Sequence, residues 1–313
     1  MNYLVTGGAG FIGSHIVDRL LREKNNVIVY DNFSTGRELF VAHNLKNPNY
    51  RIVRGDLADF DLLHETMKDV DFVFHLAAHA DVRSGFEDHS IDHEQNLEMT
   101  KNVLEAMYKN RVGNIAFSST SSVYGDALVH PTPEGYPFEP TSLYGATKAA
   151  CETYIHSYAS YYDMKSYIFR FVSFIGERYA HGVIVDVLRK LKNNKKELEL
   201  FSDGTPKKSS LYVEDGIDAI FTVINKSMQQ FNLYNIGHTK VLTVSQIVDT
   251  ILSAGGYKNV KKKWFGKSSN WKGDNEFVQL DIKKLRDLGW EPSVSIENGI
   301  KKTVEYILAN KIV

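Results

Sequence analysis

The chain has 313 residues, of which 43% are hydrophobic and 24% are charged, enough for two ordinary domains or one large α/β unit with a smaller lobe. Its formal net charge of −1 gives no positive field to hold nucleic acid or an acidic membrane, so both partners are excluded. The single cysteine, Cys151, excludes an intrachain disulfide, and no apolar run at the start is long enough to span a bilayer. We therefore expect a cytoplasmic protein.

Short apolar runs alternate with amphipathic segments through the first half of the chain. Repeated alternation of this kind predicts an α/β fold, a doubly wound parallel sheet with helices on both faces. The runs themselves do not alternate between apolar and polar residues, which is typical of strands buried on both sides. The predicted strands are residues 2–6, 27–30, 51–54, 71–76, 114–119 and 166–171, and the predicted helices are about 11–23, 60–68, 90–110 and 142–162.

After residue 172 the alternation becomes less regular. No repeat and no low-complexity linker interrupts it. We predict a larger sheet domain over residues 1–172, to which the chain returns near 211–240, and a smaller, mostly C-terminal α/β lobe over residues 173–313. The predicted elements of this second half are helices near 183–192, 214–226, 243–254 and 296–310, a strand pair within 197–213 and a short strand at 233–237.

A glycine-rich turn follows the first predicted strand. Gly7, Gly10 and Gly13 in TGGAGFIGSH give a G-x-x-G-x-x-G spacing between a strand and a helix. Because glycine has no Cβ, backbone amides and the helix N-terminus can approach a pyrophosphate closely. The next strand ends at Asp31, whose carboxylate can accept both ribose hydroxyls of NAD and would repel a 2′-phosphate. The first domain is therefore predicted to be a Rossmann-type domain that binds NAD in preference to NADP.

Two other groups of polar residues allow more than one interpretation. Asp56 follows the third predicted strand, where it can reach the adenine edge of a dinucleotide or serve as a helix N-cap. His89 and His93 are four residues apart on a predicted helix, a spacing that can bind a metal. No third ligand or H-E-x-x-H motif accompanies them, so we predict no metal site.

Tyr144 and Lys148 lie four residues apart on a predicted helix, and hence on one face of it. A phenol with a pKa of about 10 is a poor base at neutral pH, but a neighbouring ammonium favours the phenolate and lowers that pKa. The spacing alone is weak evidence. It gains weight because the preceding strand ends in FSSTSSVYG, whose hydroxyls can orient a substrate alcohol. The pair is therefore predicted to be an acid–base group.

Seven segments occur in an order that resembles the extended short-chain dehydrogenase/reductases. They are TGGAGFIGSH, DNFSTG, GDLAD, HLAAHADVR, SSTSSVYG, YGATK and LYVEDGIDA. The chain is most similar to the NAD-dependent sugar epimerase/dehydratase group, and within it to UDP-glucose 4-epimerases of archaeal type. The resemblance covers essentially the whole chain and is looser after residue 172. It implies NAD as a bound cofactor, a UDP-sugar as substrate and a homodimer.

The resemblance also implies roles for individual residues. Tyr144 would be the catalytic base and acid, Lys148 would bind the nicotinamide ribose, and Thr120 would be the catalytic hydroxyl. The implied cofactor-binding residues are Gly7, Gly10, Phe11, Ile12, Gly13, Asp31, Asn32, Asp56, Leu57, Ala77, Ala78, Asn96, Ser118, Tyr144 and Lys148. The implied substrate-binding residues are Arg83, Thr120, Ser121, Ser173, His181, Gly182, Val183, Lys208, Lys272, Asp274 and Val278.

The residues after Thr120 discriminate between reactions of this group. Dehydratases resemble one another in having Asp-Glu there, and UDP-glucuronate decarboxylases have Glu at the second place, whereas this chain has Ser121 and Ser122. Epimerisation at C4 needs no second acid–base pair, so a UDP-sugar 4-epimerase is the favoured hypothesis. Another nucleotide-sugar epimerase, such as a UDP-glucuronate 4-epimerase, an oxidoreductase, or an NAD-sensing regulator without activity remains open. The complete set of Tyr144, Lys148 and Thr120 argues against the regulator.

Several residues depart from the family pattern on the substrate side. Ser173 stands where an asparagine usually contacts the diphosphate, and Lys208 replaces a phosphate-binding arginine. Lysine is a point charge without the planar fork of a guanidinium. In WKGD, Trp271 occupies an arginine position, with Lys272 beside it and Asp274 placed for a ribose. We therefore expect lysines and backbone amides to hold the diphosphate.

Val278, four residues past Asp274, corresponds to a position that faces the C2 substituent of the sugar in relatives. A tyrosine there tends to exclude N-acetyl sugars, and a smaller residue admits them. Valine thus predicts that UDP-GlcNAc and UDP-GalNAc are accepted alongside UDP-glucose and UDP-galactose. A shift of one residue in the alignment would place Phe277 or Gln279 at this position instead.

The homodimer implied by the resemblance would be formed by the helices at 90–110 and 142–162 of two subunits. The second of these helices carries a broad apolar surface, which on a monomer would be costly to expose. The residues concerned are Ala149, Ala150, Tyr154, Tyr158 and Tyr161.

Overall fold

The computed structural model describes residues 1–266 and 275–313. Its strands are, in chain order, β1 (Asn2–Thr6), β2 (Asn26–Asp31), β3 (Tyr50–Arg54), β4 (Phe72–His75), β5 (Asn114–Thr120), β6 (Lys165–Phe171), β7 (Ser173–Ile175), β8 (Glu197–Leu200), β9 (Lys207–Lys208), β10 (Ser210–Tyr212), β11 (Phe231–Ile236), β12 (Leu242–Thr243), β13 (Lys261–Trp264) and β14 (Phe277–Val278).

Polar side chains mark the start of several helices, since Ser142, Thr243 and Ser295 each accept a hydrogen bond from an amide of the first turn. Among the described residues, no helix combines the length and apolar character needed to cross a membrane. The helices are α1 (Phe11–Arg22), α2 (Glu38–Val41), α3 (Phe60–Thr66), α4 (Ser84–Glu87), α5 (Met99–Asn110), α6 (Leu143–Tyr161), α7 (Val183–Asn193), α8 (Val213–Lys226), α9 (Val244–Ala254), α10 (Lys283–Asp287) and α11 (Ile296–Ala309), with a π-helical segment, His93–Glu98, leading into α5.

Seven strands form one sheet in the order β11-β6-β5-β4-β1-β2-β3. Strand β1 pairs in parallel with β2 and with β4, so Val5 lies opposite Val29 on one side and Phe74 on the other. The β2–β3 and β4–β5 pairs are parallel as well. Leu4, Val5 and Val73 are fully buried, as expected for strands covered on both faces. The predicted Rossmann-type α/β fold with a parallel sheet is confirmed.

The chain divides into two compact units, each made of separate stretches of sequence. Unit 1 contains β1 to β5, all of β6 but its last residue, and the first part of β11, while the small sheets belong to unit 2. Unit 1 consists of residues 1–123, 142–170 and 220–234, and unit 2 consists of residues 124–141, 171–219 and 235–313.

Residues 124–141 belong to unit 2, although the sequence places them within a first domain of residues 1–172. Hydrogen bonds to later parts of the chain explain this. Tyr124 Oη donates to Asn235 Oδ1 at 2.7 Å, and Asn235 Nδ2 donates to the carbonyl of Thr132 at 2.9 Å. These contacts join residues about a hundred positions apart, which no local pattern encodes.

The carboxyl ends of the strands in unit 1 collect the polar residues singled out in the sequence. Gly7 follows β1, Asp31 is the last residue of β2, and Asp56 comes soon after β3. Ala77 follows β4, and Thr120 ends β5. Because parallel strands present their carboxyl ends at one edge, these residues share that edge of the sheet, where open α/β sheets bind their ligands.

In the described residues of unit 2, small sheets are formed by β7 with β10, by β8 with β13, and by β9 between β12 and β14. The pairs β7–β10, β8–β13 and β9–β14 are parallel, and β9–β12 is antiparallel. Its core comes from one face of α7, α9 and α11, where Leu188, Val248 and Val304 are fully buried. The strands β9, β12 and β14 are only two residues long, so they depend on their partners for definition.

Candidate active site

The glycine turn between β1 and α1 leaves no room for side chains. Gly7 has a φ of +68°, and a Cβ added there would lie 2.7 Å from the amide nitrogen of Ala77. A Cβ at Gly13 would collide with the carbonyl oxygen of Gly7. The N-cap of α1 is Gly10, which has no side chain to occupy the first amides of the helix. This arrangement suits close approach of a diphosphate to the backbone.

Asp31 is built into the same turn. Its Oδ2 accepts a hydrogen bond from the Ala9 amide at 2.9 Å, and its Oδ1 accepts one from the Phe33 amide at 2.8 Å. The residue is 7% exposed, and burial raises the pKa of its carboxyl, while these two hydrogen bonds oppose the rise. Each carboxylate oxygen can accept more than one hydrogen bond, so capacity for ribose hydroxyls remains.

Asn32 and Asp56 meet beside this turn, where Asn32 Nδ2 donates to Asp56 Oδ2 at 2.8 Å. Asp56 Oδ1 accepts from the Ala58 amide at 2.9 Å and thereby closes a turn. The alternative that Asp56 caps a helix is wrong, because Asp59 caps α3 by accepting from the Leu62 amide. The aspartate nearest to the first helical amide takes that role.

Leu57, the other candidate next to this turn, is 7% exposed and packs in the core of unit 1. Its carbonyl accepts a hydrogen bond from Asn102 Nδ2 at 3.0 Å. Its side chain is therefore already packed, so contact with a cofactor would come through its backbone or its remaining exposed surface.

The end of β5 and the first turns of α6 bring together the three candidate catalytic residues. The hydroxyl of Thr120 lies near the phenol of Tyr144 and favours its phenolate. Lys148 is 2% exposed, and its ammonium donates to the carbonyl of Ser118 at 2.7 Å and lies 4.4 Å from the centre of the Phe117 ring. The predicted grouping of Tyr144, Lys148 and Thr120, with Ser118 beside them, is therefore present in unit 1.

The ionisation of this group differs from the expectation. Desolvation of the phenolate raises the pKa of Tyr144 to about 12, and the Thr120 hydroxyl only partly opposes this. Desolvation also lowers the pKa of Lys148 to about 8. The sequence predicts that the Lys148 ammonium depresses the pKa of Tyr144, and for the protein alone this is wrong. Burial of the phenol is the largest cause of the rise, and the charge of Asp92 adds to it.

Asn96 is 2% exposed and lies in the π-helical segment, a distortion that is frequent at functional sites. Its Oδ1 accepts from the His79 amide at 2.9 Å, and its Nδ2 donates to the His79 carbonyl at 3.2 Å. The side chain thus fixes the loop that follows β4, which contains Ala77 and Ala78. A contact with the nicotinamide end of a cofactor would be additional to this bond pair.

Two residues in this region were missed in the sequence. His79 Nδ1 lies 3.1 Å from Asp92 Oδ1, and Asp92 is fully buried. The charge of Asp92 is among the causes that raise the pKa of Tyr144. The available signal was spacing, because Asp92 precedes Asn96 by four residues and therefore shares its helical face.

The substrate candidates of unit 1 differ in their surroundings. Arg83 has 62% of its side chain exposed and lies 3.2 Å from Asp81. Ser121 is half-buried and begins a short 3₁₀ turn, Ser121–Tyr124, directly after β5. Thr120 Oγ1 also accepts a hydrogen bond from the amide of Ser122 at 3.1 Å, so the hydroxyl-rich end of β5 is internally bonded.

Unit 2 holds most of the remaining substrate candidates. Ser173 is exposed at the start of β7, and His181 and Val183 flank Gly182, which is the N-cap of α7 with a φ of +95°. Lys208 lies far along the chain on β9, and its ammonium donates to the carbonyl of Asn275. The predicted Lys272 and Asp274, together with Trp271, lie outside the described residues.

Val278 is paired directly with Lys208 across the β14–β9 ladder. Its two neighbours, the alternatives left by the alignment, already have partners. The ring of Phe277 stacks on His130 with 4.0 Å between centroids, and Gln279 Nε2 donates to the carbonyl of Thr239 at 2.9 Å. Val278 is the residue of the three whose side chain has no such directed contact among the described residues.

No group of three or more His, Cys, Asp or Glu side chains in the described parts of the chain is arranged to hold a metal ion. His93 instead lies 3.7 Å from Glu98, one of the exposed carboxylates of its own segment.

The model of the NAD dependent epimerase/dehydratase family matches residues 3–237. The chain is 35% identical over 313 residues to the putative UDP-glucose 4-epimerase of Methanocaldococcus jannaschii, with 98% of each chain covered. The crystal structure of the UDP-glucose 4-epimerase of Thermotoga maritima, solved with UDP-glucose, has a TM-score of 0.88 at 34% identity, covering 99% of this chain and 100% of that one. The UDP-glucuronic acid 4-epimerase of Bacillus cereus, solved with UDP-glucuronic acid and NAD, has a TM-score of 0.90 at 27% identity, covering 99% and 100%.

Proposed function

The chain belongs to the NAD-dependent epimerase/dehydratase family, and we propose that it is a 4-epimerase of a UDP-linked hexose. The observation that carries the proposal is the placement of Tyr144, the Thr120 hydroxyl and the buried Lys148 ammonium together, with serines and no carboxylate at the next two positions after Thr120. This set can move a proton on and off one sugar hydroxyl. It offers no second acid–base pair of the kind that dehydration requires, so epimerisation is favoured.

NAD is the cofactor of this family, and the residues present fit it. The Cβ-free surfaces of Gly7 and Gly13 and the N-terminus of α1 would hold its diphosphate. Asp31 would accept the adenosine ribose hydroxyls, and Lys148 would donate to the nicotinamide ribose. The fixed carboxylate of Asp31 would repel a 2′-phosphate, so NAD is preferred over NADP.

The proposed role of Tyr144 is to hold and return a proton at the sugar 4-hydroxyl. Bound NAD supplies the acceptor, and later the donor, of the hydride at C4. Tyr144 as phenolate removes the hydroxyl proton, while the Thr120 hydroxyl orients the same oxygen. After the 4-keto sugar has turned its other face, Tyr144 returns the proton. Net turnover consumes no cofactor.

Lys148 would keep a positive charge near this exchange. Its pKa of about 8 means that the ammonium form predominates at neutral pH and is lost above that value. Because Tyr144 alone has a pKa of about 12, formation of its phenolate depends on neighbouring positive charge in the loaded enzyme. We therefore expect activity to decline on the alkaline side of pH 8.

The range of sugars is proposed from Val278. Valine is small, and its partner across the ladder is Lys208, the candidate that would hold the UDP diphosphate. A small residue here would leave room for an acetamido group at C2. We expect UDP-GlcNAc and UDP-GalNAc to be interconverted as well as UDP-glucose and UDP-galactose.

A homodimer and a cytoplasmic location complete the proposal. Tyr154 and Tyr161 on α6 are 44% and 79% exposed, which supports a covered helix face. Ala149 does not contribute, because it is 7% exposed, and Tyr158 packs partly against the core of unit 1. Light scattering should give twice the 35.5 kDa mass of the chain, and a monomer mass at micromolar concentration would contradict the dimer.

The test is an NMR time course of the purified protein with UDP-glucose, UDP-GlcNAc and UDP-glucuronate in separate tubes. We expect equilibration of the first two with their C4 epimers and no net formation of NADH. Turnover of UDP-glucuronate alone would identify a UDP-glucuronate 4-epimerase instead. Stoichiometric NADH with release of a keto sugar would identify an oxidoreductase, and retention of NAD without any turnover would favour a regulator.

A further inference from the structure

Glu152 lies on α6 one turn after Lys148 and two turns after Tyr144, in the interior of unit 1. It is 4% exposed, and its partner Arg170 on β6 is 3% exposed. Arg170 Nε donates to Glu152 Oε1 at 3.0 Å, and a second guanidinium nitrogen donates to Oε2 at 2.6 Å. The proposed reaction uses neither residue. This buried, doubly hydrogen-bonded ion pair therefore lies one helical turn from Lys148 without a role in the proposed reaction.

Each of the last three residues of β5 faces a residue of α6, and the three α6 residues are four positions apart. The carbonyl of Ser118 accepts from Lys148, and the hydroxyl of Ser119 donates to Glu152. The hydroxyl of Thr120 lies near the phenol of Tyr144. Residues at i, i+4 and i+8 share one helix face, so one face of α6 lies along the end of β5. Glu152 is the last of these three residues along α6.

Arg170 holds Glu152 from the next strand, since β6 is the neighbour of β5 in the sheet. The two hydrogen bonds from Arg170 restrict the orientation of the Glu152 carboxylate, which also accepts a hydrogen bond from the Ser119 hydroxyl. Because the pair is buried, removing one partner would leave an uncompensated charge. The carboxylate is therefore held in place.

Glu152 also acts on the charge of Lys148. Desolvation lowers the pKa of the Lys148 ammonium, and Cys151 and then the Glu152 carboxylate oppose this by raising it. The carboxylate thus supports the charged form of a lysine that is itself almost fully buried.

We propose that Glu152, clamped by Arg170, is a positioning residue of the candidate catalytic set, which fixes the end of β5 through Ser119 and keeps Lys148 charged. The inference rests on the proposed function only for its effect on turnover. A role in stability alone is the competing explanation. Buried ion pairs are often no more stabilising than apolar residues of the same volume, so stability gives little reason for this pair.

The first experiment measures the charge of Lys148 in Glu152→Gln. The protein is labelled with ¹³Cε-lysine, and the Lys148 signal is assigned by its loss in Lys148→Met. We expect the titration midpoint of Lys148 to fall below the wild-type value, because an opposite charge one helical turn away is removed. Glu152→Asp, which keeps the charge, should restore most of the midpoint. An unchanged midpoint in folded Glu152→Gln would overturn the proposal.

Asp215→Asn is the matched control in unit 2. Asp215 is 5% exposed, and it accepts hydrogen bonds from the hydroxyl of Ser293 and the amide of Val294. The same acid-to-amide change in a buried carboxylate should lower stability there without moving the Lys148 titration. A comparable movement in both variants would point to general destabilisation and overturn the positioning role.

Ser119→Ala keeps the test decisive if Glu152→Gln does not fold. It removes one hydroxyl from the end of β5 and leaves the ion pair intact. We expect kcat to fall about tenfold with KM unchanged, because a loosened catalytic geometry affects the reacting step. Wild-type kcat in folded Ser119→Ala would overturn the proposal. The Lys148 titration needs no sugar, so a wild-type protein that turns over no UDP-sugar would refute the proposed function and leave this inference standing.

Discussion

The two units assemble their candidate residues in different ways. In unit 1, Thr120 ends one strand and Tyr144 and Lys148 follow on the next long helix, so the group comes from neighbouring elements. In unit 2, Lys208 and Val278 meet through two-residue strands that are far apart in the sequence. Long elements with regular periodicity determine their own geometry, whereas two-residue strands take theirs from what surrounds them. The first site can therefore be inferred from motifs, and the second requires the structure.

This contrast predicts that substitutions in unit 1 affect the chemical step and that substitutions in unit 2 affect the choice of substrate. Tyr144→Phe tests the first half and should have the largest effect. Removing the phenol that is proposed to exchange the proton should lower turnover by about 10²- to 10⁴-fold. NAD should stay bound, which the absorbance of the purified protein would report. A variant that keeps most of its activity would refute the mechanism.

Val278→Tyr tests the second half. The larger ring should fill the space of an acetamido group and lower kcat/KM for UDP-GlcNAc by about 10- to 200-fold, while UDP-glucose is spared. Competition assays with both sugars in one tube would measure the ratio directly. Val278→Leu is the matched control, since it adds one methylene and should change the ratio little. Equal loss of both activities, or of neither, would show that Val278 does not face the sugar.

Lys148→Met tests the site in unit 1 through the free energy of unfolding instead of the reaction rate. The lowered pKa of Lys148 means that the unfolded chain binds more protons between pH 8 and 10.5, so the free energy of unfolding rises with pH over that window. The 2.5-unit difference between 10.5 and 8 corresponds to about 3 kcal/mol, from which loss of the bond to Ser118 subtracts about 1 kcal/mol. We expect the NAD-free variant to be about 2 kcal/mol more stable than wild type at pH 7.

Urea unfolding at pH 7 and pH 9.5 would measure this difference, which should shrink at the higher pH as the wild-type lysine loses its proton. The sign is the informative part. A less stable variant at pH 7 would mean that burial does not disfavour the Lys148 ammonium. The proposed loss of activity above pH 8 would then lose its basis.

Asp92→Asn should give the smallest effect. The Asp92 charge raises the pKa of Tyr144, so the neutral amide should lower that pKa and move the acidic limb of turnover to lower pH. Asparagine can still accept a hydrogen bond from His79, so the loop after β4 should be retained. Asp88→Asn, an exposed carboxylate hydrogen-bonded to Ser90, is the control and should leave the limb in place. If the acidic limb of turnover does not move in Asp92→Asn, Asp92 does not act on the ionisation of Tyr144.

Much of the fold follows from the sequence because its long elements have strong periodicity. The first strand has the predicted bounds, residues 2–6, and α6 is within one residue of the predicted 142–162. The predicted helix at 90–110 is helical from residue 91 to residue 110, but residues His93–Glu98 within it are π-helical, which the pattern did not predict. The elements that were missed, including α2, α4 and α10, are short ones that tertiary contacts stabilise.

The candidate site is predictable to the same extent. Glycines and Asp31 in one turn have a single plausible ligand, and Y-x-x-x-K fixes two side chains on one helix face. The ionisation of Tyr144 was not predictable, because it depends on how much water surrounds the phenol. His79, Asp92 and Glu152 were missed for a related reason, since the hydrogen-bond partners are 13 residues apart for His79 and Asp92 and 18 residues apart for Glu152 and Arg170.

The place of β11 in the sheet has a consequence for synthesis of the chain. This strand is the edge neighbour of β6, yet it comes at Phe231–Ile236, after much of unit 2 has been made. Until the ribosome has released that segment, β6 has no partner on one side. Its sequence, KSYIFRF, is almost wholly buried in the finished protein and would then be an open, hydrophobic edge. Nascent or truncated chains that end before Phe231 should therefore aggregate readily and engage chaperones, while chains that extend past Ile236 should not.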